Sequence, residues 1–172
     1  PSNSLHAAGT DMILHEGNDG TGLQGDLVHG THNFNTAFRN CFTGLEPGKS
    51  MQTVPVNFYS FSRYMNVVGN VLGTAGYHNN YESVTPTFIG KETSIYRLGS
   101  AGNSLPASKE DPLVKSTLLR WGNYDTVTAT PRFLASEVPS GLSQYASPVP
   151  ADQNLPASLY LSAKPSWWPP SI

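Results

Sequence analysis

His15-Glu16-Gly17-Asn18-Asp19-Gly20, Phe38-Arg39-Asn40-Cys41-Phe42 and Val68-Gly69-Asn70-Val71-Leu72-Gly73 align on a single Asn. The three Asn are 22 and 30 residues apart, and a fourth copy, Arg120-Trp121-Gly122-Asn123-Tyr124, follows after a long interruption. A period in this range marks a repeat architecture whose units stack on one another. An interval of 22 suits one coil of a parallel β-helix, three short strands joined by three turns. The interval of 30 is then the same coil carrying a polar insertion at 44–53. Asn suits a tight corner because it tolerates φ > 0 better than other non-glycine residues. Its amide can also bond to the Asn of the next coil and run as a ladder down the stack. Ile13, Phe38 and Val68 are expected to face inward and stack in the same way.

The surrounding sequence agrees with an all-β chain. Met12-Ile13-Leu14, Asp26-Leu27-Val28 and the runs 34–42, 54–59 and 64–72 are strand-length and bounded by Gly, Asn and Asp. No window carries an i, i+3, i+4, i+7 apolar pattern over helical length. Three regions follow: β-helix coils over 1–76, a loop excursion with the last strands of the same domain over 77–135, and a Pro-rich strap over 136–172. Pro denies ladder hydrogen bonds, so the last region is no central strand. Its Leu155, Leu159, Tyr160, Leu161, Trp167 and Trp168 are too apolar for a free linker, and the expectation is an extended strap along the stack.

Composition narrows the partners. Only 13% of the 172 residues are charged and the net charge is −2, while aromatic residues reach 10%. A disordered chain carries more charge and fewer aromatics. No Lys/Arg run offers a stripe for phosphates, so no nucleic-acid partner is expected. No apolar stretch approaches the ~20 residues of a membrane span. Cys41 is alone, which rules out an internal disulfide and a Cys-based metal site. The start at Pro1 reads as that of a mature or truncated product, with preceding coils of a parent chain or self-association as possible neighbours.

The strings Ile13-Leu14-His15-Glu16-Gly17-Asn18, His29-Gly30-Thr31-His32 through Phe38-Arg39-Asn40, and Asn66 through Gly73 resemble the last coils of bacterial right-handed parallel β-helix repeat proteins. These belong to the pectate-lyase-like superfamily. Leu119 through Asp125 and Leu155-Pro156-Ala157-Ser158-Leu159-Tyr160-Leu161 resemble their C-terminal segments. The resemblance implies a right-handed single-stranded solenoid, an extracellular location and polysaccharide as partner. It also implies a polysaccharide lyase or glycoside hydrolase if the chain is an enzyme. The paired Asp motif of such lyases is absent from this sequence.

Two groups of residues could carry chemistry. Glu16, Asp26, His29 and His32 are the densest titratable set, and Glu16 with Asp26 could form a carboxylate pair of the kind glycoside hydrolysis needs. His29 or His32 could act as acid or base near neutral pH. His29-x-x-His32 with a carboxylate also has a zinc-type spacing, but only if Gly30 turns both rings to one side. Equally, these residues could bond turn backbones and solvent. Tyr77, Tyr81 and Trp121 form the second group, because flat aromatic faces suit the C–H faces of sugars. No motif requires a cofactor or a metal. The leading expectation is a secreted module that binds or processes polysaccharide. The alternative is a non-catalytic structural or adhesive module that assembles at a cell surface or in an extracellular fibre.

Overall fold

The computed structural model describes residues 2–83, 92–102, 109–141, 148–163 and 166. The chain is all-β, built from parallel sheets. Its strands are β1 (Asn3–Leu5), β2 (Leu14–Glu16), β3 (Asp19–Gly20), β4 (Leu23–Gly25), β5 (Thr36–Phe38), β6 (Cys41–Phe42), β7 (Val56–Tyr59), β8 (Asn66–Val68), β9 (Val71–Leu72), β10 (Asn80–Ser83), β11 (Ser94–Ser100), β12 (Leu119–Trp121), β13 (Asn123–Asp125) and β14 (Pro131–Arg132). A single helical turn, α1 (Leu113–Ser116), and a 3-10 turn (Ala135–Glu137) complete the described elements.

Three sheets are visited in a fixed order. The first runs β1-β4-β7-β11-β10, the second β2-β5-β8-β12, and the third β3-β6-β9-β13-β14. Every pairing is parallel except that of β13 with β14. The chain passes from first to second to third sheet four times, and each pass lies beside the one before. Apart from the β13–β14 pair, the described strands have no hairpin to set the register, so the corners and the packed interior must fix it.

One corner does so with Asn. The Asn18 Nδ2 donates to Asn40 Oδ1 at 2.8 Å, Asn40 Nδ2 to Asn70 Oδ1 at 2.9 Å, and Asn70 Nδ2 to Asn123 Oδ1 at 2.9 Å. Each of those acceptors also takes the backbone N–H of the preceding Asn, at 2.9 Å in all three cases. Spare amide protons reach carbonyls of the neighbouring pass, from Asn40 to His15, Asn70 to Ala37 and Asn123 to Val67. Asn40, Asn70 and Asn123 are buried, so an unmade bond there would be costly. Position 123 joins the column although 53 residues separate it from Asn70.

The positive φ falls on the residue before each Asn and not on the Asn itself, correcting the expected reason for Asn at this corner. Gly17, Arg39, Gly69 and Gly122 have φ of 69°, 51°, 66° and 68°. The neighbouring corner repeats the device with Met12, Phe34 and Tyr64 at 59°, 59° and 56°. There the Phe34 and Tyr64 rings stack at 5.1 Å, so ring contact accompanies the strain of a left-handed non-glycine residue.

The interior is a set of columns. Leu23, Val56 and Tyr96 pair in register in the first sheet, as do Phe58 and Leu98, while Phe42 and Leu72 do so in the third. In the second sheet the inward column is His15, Ala37, Val67 and Arg120. The expected column of Ile13, Phe38 and Val68 does not form. Ile13 lies outside β2 and is 39% exposed, whereas Phe38 and Val68 pair with Glu16 and Trp121 on the opposite face of the sheet. A strand's side chains alternate between faces, so one residue of difference moves a side chain from core to surface.

Other expectations shift as well. The runs 34–42 and 64–72 each split into two strands at the Asn corner. The run at 26–28 lies just after β4, and the insertion at 44–53 lies between β6 and β7. Part of the expected excursion is in the stack instead: β10 and β11 both belong to the first sheet. The described part of the strap crosses the outer face of the second sheet. Leu155 Cδ1 would lie 2.9 Å and 2.8 Å from a Cβ on Gly122 and Gly69, so Gly at both corners makes room for it. Arg39 Nε and Nη2 donate to the Pro156 and Leu155 carbonyls, and Leu159 N–H donates to Glu16. Trp167 and Trp168 lie outside the described residues.

Asn70→Ala would strip the acceptor from two Asn40 donors and remove three of the ladder's own donations. At about 1–3 kcal/mol per stranded buried group, the expected loss is about 3–5 kcal/mol in urea unfolding, against under about 1 for Asn18→Ala at the solvated end. Equal losses at the two positions would mean that the ladder does not hold the corner.

Candidate functional site

Arg120 occupies an inward position on β12, the last strand of the second sheet among the described residues. The position is buried nonetheless, covered by Tyr81 and Tyr96. Arg lays its stem on the column and needs partners for its charge. Its Nη1 meets Glu82 Oε2 of β10 at 2.6 Å, and Lys115 Nζ of α1 meets Glu82 Oε1 at 2.5 Å. Arg120 Nη2 lies 3.8 Å from Glu137 Oε1 of the 3-10 turn. The same Glu137 oxygen accepts Arg132 Nη2 of β14 and the Tyr81 hydroxyl, both at 2.8 Å. The Arg120 guanidinium lies 5.3 Å and 5.1 Å from the ring centres of Tyr81 and Tyr96, and that of Arg132 lies 4.1 Å from Tyr81.

This network sets protonation states. Burial alone would raise the Glu82 carboxyl, but the hydrogen bonds and charges of Lys115 and Arg120 outweigh it and hold the group below the usual carboxylate range. Burial pushes the Tyr81 and Tyr96 hydroxyls up, and the Glu137 carboxylate adds to both effects. Both phenols are therefore neutral at ordinary pH, and that of Tyr81 donates to Glu137. Glu137 is buried, and its Oε2 has no hydrogen-bond partner among the described residues.

A cleft of about 320 Å³ opens beside the network. Lys115, Arg120 and Glu137 supply its charge, Ser136 a hydroxyl, and Pro112 and Pro139 flat aliphatic walls. A second cleft, of about 400 Å³, shares Ser136 and Pro139 with it. The segment at 136–140 thus carries a groove on a frame fixed by ion pairs.

The residues expected to carry catalysis assemble only in part. Asp26 bonds His6 Nδ1 through one oxygen, and His32 Nε2 lies 3.8 Å from the other. The His29 ring meets the His6 ring edge-on at 4.5 Å. Glu16 is at the end of β2 in a different sheet, and its carboxylate is taken by the strap at Leu159, so the structure shows no Glu16–Asp26 pair. Neither cleft is lined by these residues. Among the described residues no three His, Cys, Asp or Glu side chains gather as a metal site. Pairing of Leu5 with Gly25 sets His6 beside Asp26, a juxtaposition that no local motif announces.

The expected aromatic set also separates. Tyr77 donates its hydroxyl to Thr53 and packs against His78. Trp121 is buried edge-on against Phe133. Only Tyr81 touches the network. Glu82, Lys115, Arg120, Arg132 and Glu137 escaped the sequence reading because they are scattered over 82–137 with no motif spacing. The one signal was a concentration of charge in a chain that otherwise avoids it. No protein family, curated protein or solved structure matches the chain.

His32 and His78, which are buried, and the half-buried His15 are expected to give the protein a pH dependence. Burial lowers the pKa of His15, His32 and His78, in His32 against the opposing pull of Asp26. His78 accepts the Thr74 N–H at Nδ1, at 2.8 Å, and meets the Thr53 carbonyl through Nε2, so its neutral form is the one that fits. The unfolded chain binds protons on these groups more readily than the folded one, so stability rises with pH across their titration. The expected unfolding midpoint in urea is full above the ordinary histidine value of about 6.5 and falls as pH drops through the lowered folded values. His32→Leu should make that fall shallower, whereas an unchanged slope would remove His32 from the account.

Proposed function

We propose that the three sheets form a right-handed parallel β-helix of the pectate-lyase-like kind, and that the chain is an extracellular module binding polysaccharide in the groove at 136–140. The cyclic order of the sheets and the Asn present in each of the four passes support the fold reading. The groove itself carries the functional reading, because acceptor, donor and apolar surface meet there as a sugar requires. Lys115 and Arg120 can donate to hydroxyls or a carboxylate, Glu137 and Ser136 can accept, and Pro112 and Pro139 can meet a C–H face. Two adjoining clefts suit a chain of sugars better than a single ring.

The same geometry favours binding over bond cleavage. A glycosidase needs one carboxyl with a raised pKa to act as acid. It also needs a second carboxyl, whereas Glu137 is the one carboxylate among the described residues that line the clefts. Arg cannot serve as a neutral base at ordinary pH without losing the charge that holds this network.

A second reading, a structural or adhesive module, is favoured by one observation. Met12, Ile13 and Leu14 are exposed along the first pass, with Met12 at 79%.

Titration of acidic and neutral polysaccharides into the protein, followed calorimetrically, separates the two readings. Saturable binding is expected, weakened about tenfold or more in Lys115→Ala if that ammonium contacts the sugar, and unchanged in Asp26→Asn. No new reducing or unsaturated ends should appear. Absence of binding across the panel would leave the structural reading, and turnover lost in Asp26→Asn would return chemistry to the histidine cluster.

A further inference from the structure

The two clefts of the groove are walled differently. The first is set between α1, β12 and the 3-10 turn, and α1 and the turn pack on β11 and β12 of the stack. The second has the segment at 135–141 on one side and Pro148 with Val149 on the other. Residues 148–154 are exposed, Val149 at 46%, and no hydrogen bond joins them to a strand among the described residues. The next tie to the stack is at Leu155 and Pro156, whose carbonyls accept Arg39 Nη2 at 3.2 Å and Nε at 2.8 Å. Leu155 Cδ1 fills a notch between successive corners, where Gly69 and Gly122 have no side chain and the Phe38 and Phe133 rings lie alongside. A Cβ on either glycine would come within 2.9 Å of that methyl, so Gly at both positions is what admits it.

We infer that Leu155 is a positioning residue for ligand binding: seated between Gly69 and Gly122, it fixes Pro148 and Val149 as a wall of the second cleft. Leu155 follows Val149 by six positions, a short tether. Freed of that anchor, the stretch would sample many conformations, and a ligand would have to order it on binding. Pinned, it presents its wall in place, so that a sugar chain lies across both clefts at once. The first cleft draws no residue from this segment, so loss of the anchor costs the second cleft alone. The inference rests on the reading of the groove as a polysaccharide site and adds how a chain, in contrast to a single sugar, is recognised there.

Calorimetric titration of the acidic and neutral polysaccharides into Leu155→Ser, Val149→Ser and the double variant tests this. Each single change is expected to weaken the binding seen with the unmodified protein about tenfold. The double variant should lose no more than either, because both changes act through one wall. Leu155→Met, which refills the notch, should bind as the unmodified protein does. Hydrogen exchange at the Leu159 amide, which donates to Glu16, should quicken in Leu155→Ser while the buried Asn40 and Asn70 amides stay protected. Arg39→Gly, which loses both bonds to the segment and suits a φ of 51°, should act in the same direction. Full-strength binding in Leu155→Ser, losses that add in the double variant, or unchanged exchange at Leu159 would overturn the inference alone. A protein that binds no polysaccharide would overturn the reading of the groove, and this inference with it.

Discussion

A buried amide side chain that both donates and accepts is the constraint on which this structure turns. At each Asn corner the backbone leaves its strand direction, and a peptide N–H there has no strand partner to meet. The Oδ1 of the following Asn takes that N–H and the preceding amide together, while the spare proton reaches a carbonyl. Asp could accept but not donate, and a hydrophobic residue could do neither. A parallel arrangement has no hairpins to set its register, so a chain of such bonds does what turn geometry does elsewhere. The buried columns of Leu23, Val56 and Tyr96, and of Ala37 and Val67, follow from that alignment.

A stack with an interior must also end. Here the inward column of the second sheet finishes on a guanidinium instead of an aliphatic side chain. Once Arg120 is placed there, burial of its charge requires partners, and Glu82 and Glu137 come from elements otherwise distant in sequence. Lys115, Arg132 and Tyr81 then satisfy the two carboxylates. Buried ion pairs of this kind contribute little net stability, because desolvation offsets much of the attraction. Lys115, Arg120 and Glu137 of this network also line the groove at 136–140. The proposed sugar site therefore grows out of the way the stack is closed.

Crowding of titratable residues in sequence did not translate into one site. His29 and His32 are near Asp26 because they are near it in the chain, but His6 reaches the same carboxylate through the pairing of β1 with β4. Glu16, ten positions from Asp26, belongs to another sheet and holds the strap. In a chain that changes sheet every few residues, short sequence distance says little about shared surface. Positions one pass apart are the true neighbours.

The sequence alone determined the all-β character, the Asn column and the insertion between passes, because these rest on local chemistry repeated at an interval. Turn residues bound the short strands, and Asn18, Asn40 and Asn70 recur with similar neighbours, which a reader of residues can see. Tertiary structure decided which face each strand buries: Ile13 is out and Ala37 in, a matter of where the corner falls to within one residue. It also decided that β10 and β11 join the first sheet, that Gly69 and Gly122 make room for Leu155, and that Arg120 gathers Glu82 and Glu137. Those outcomes depend on what a pass meets on either side of it. No local pattern in the sequence says which pass is last.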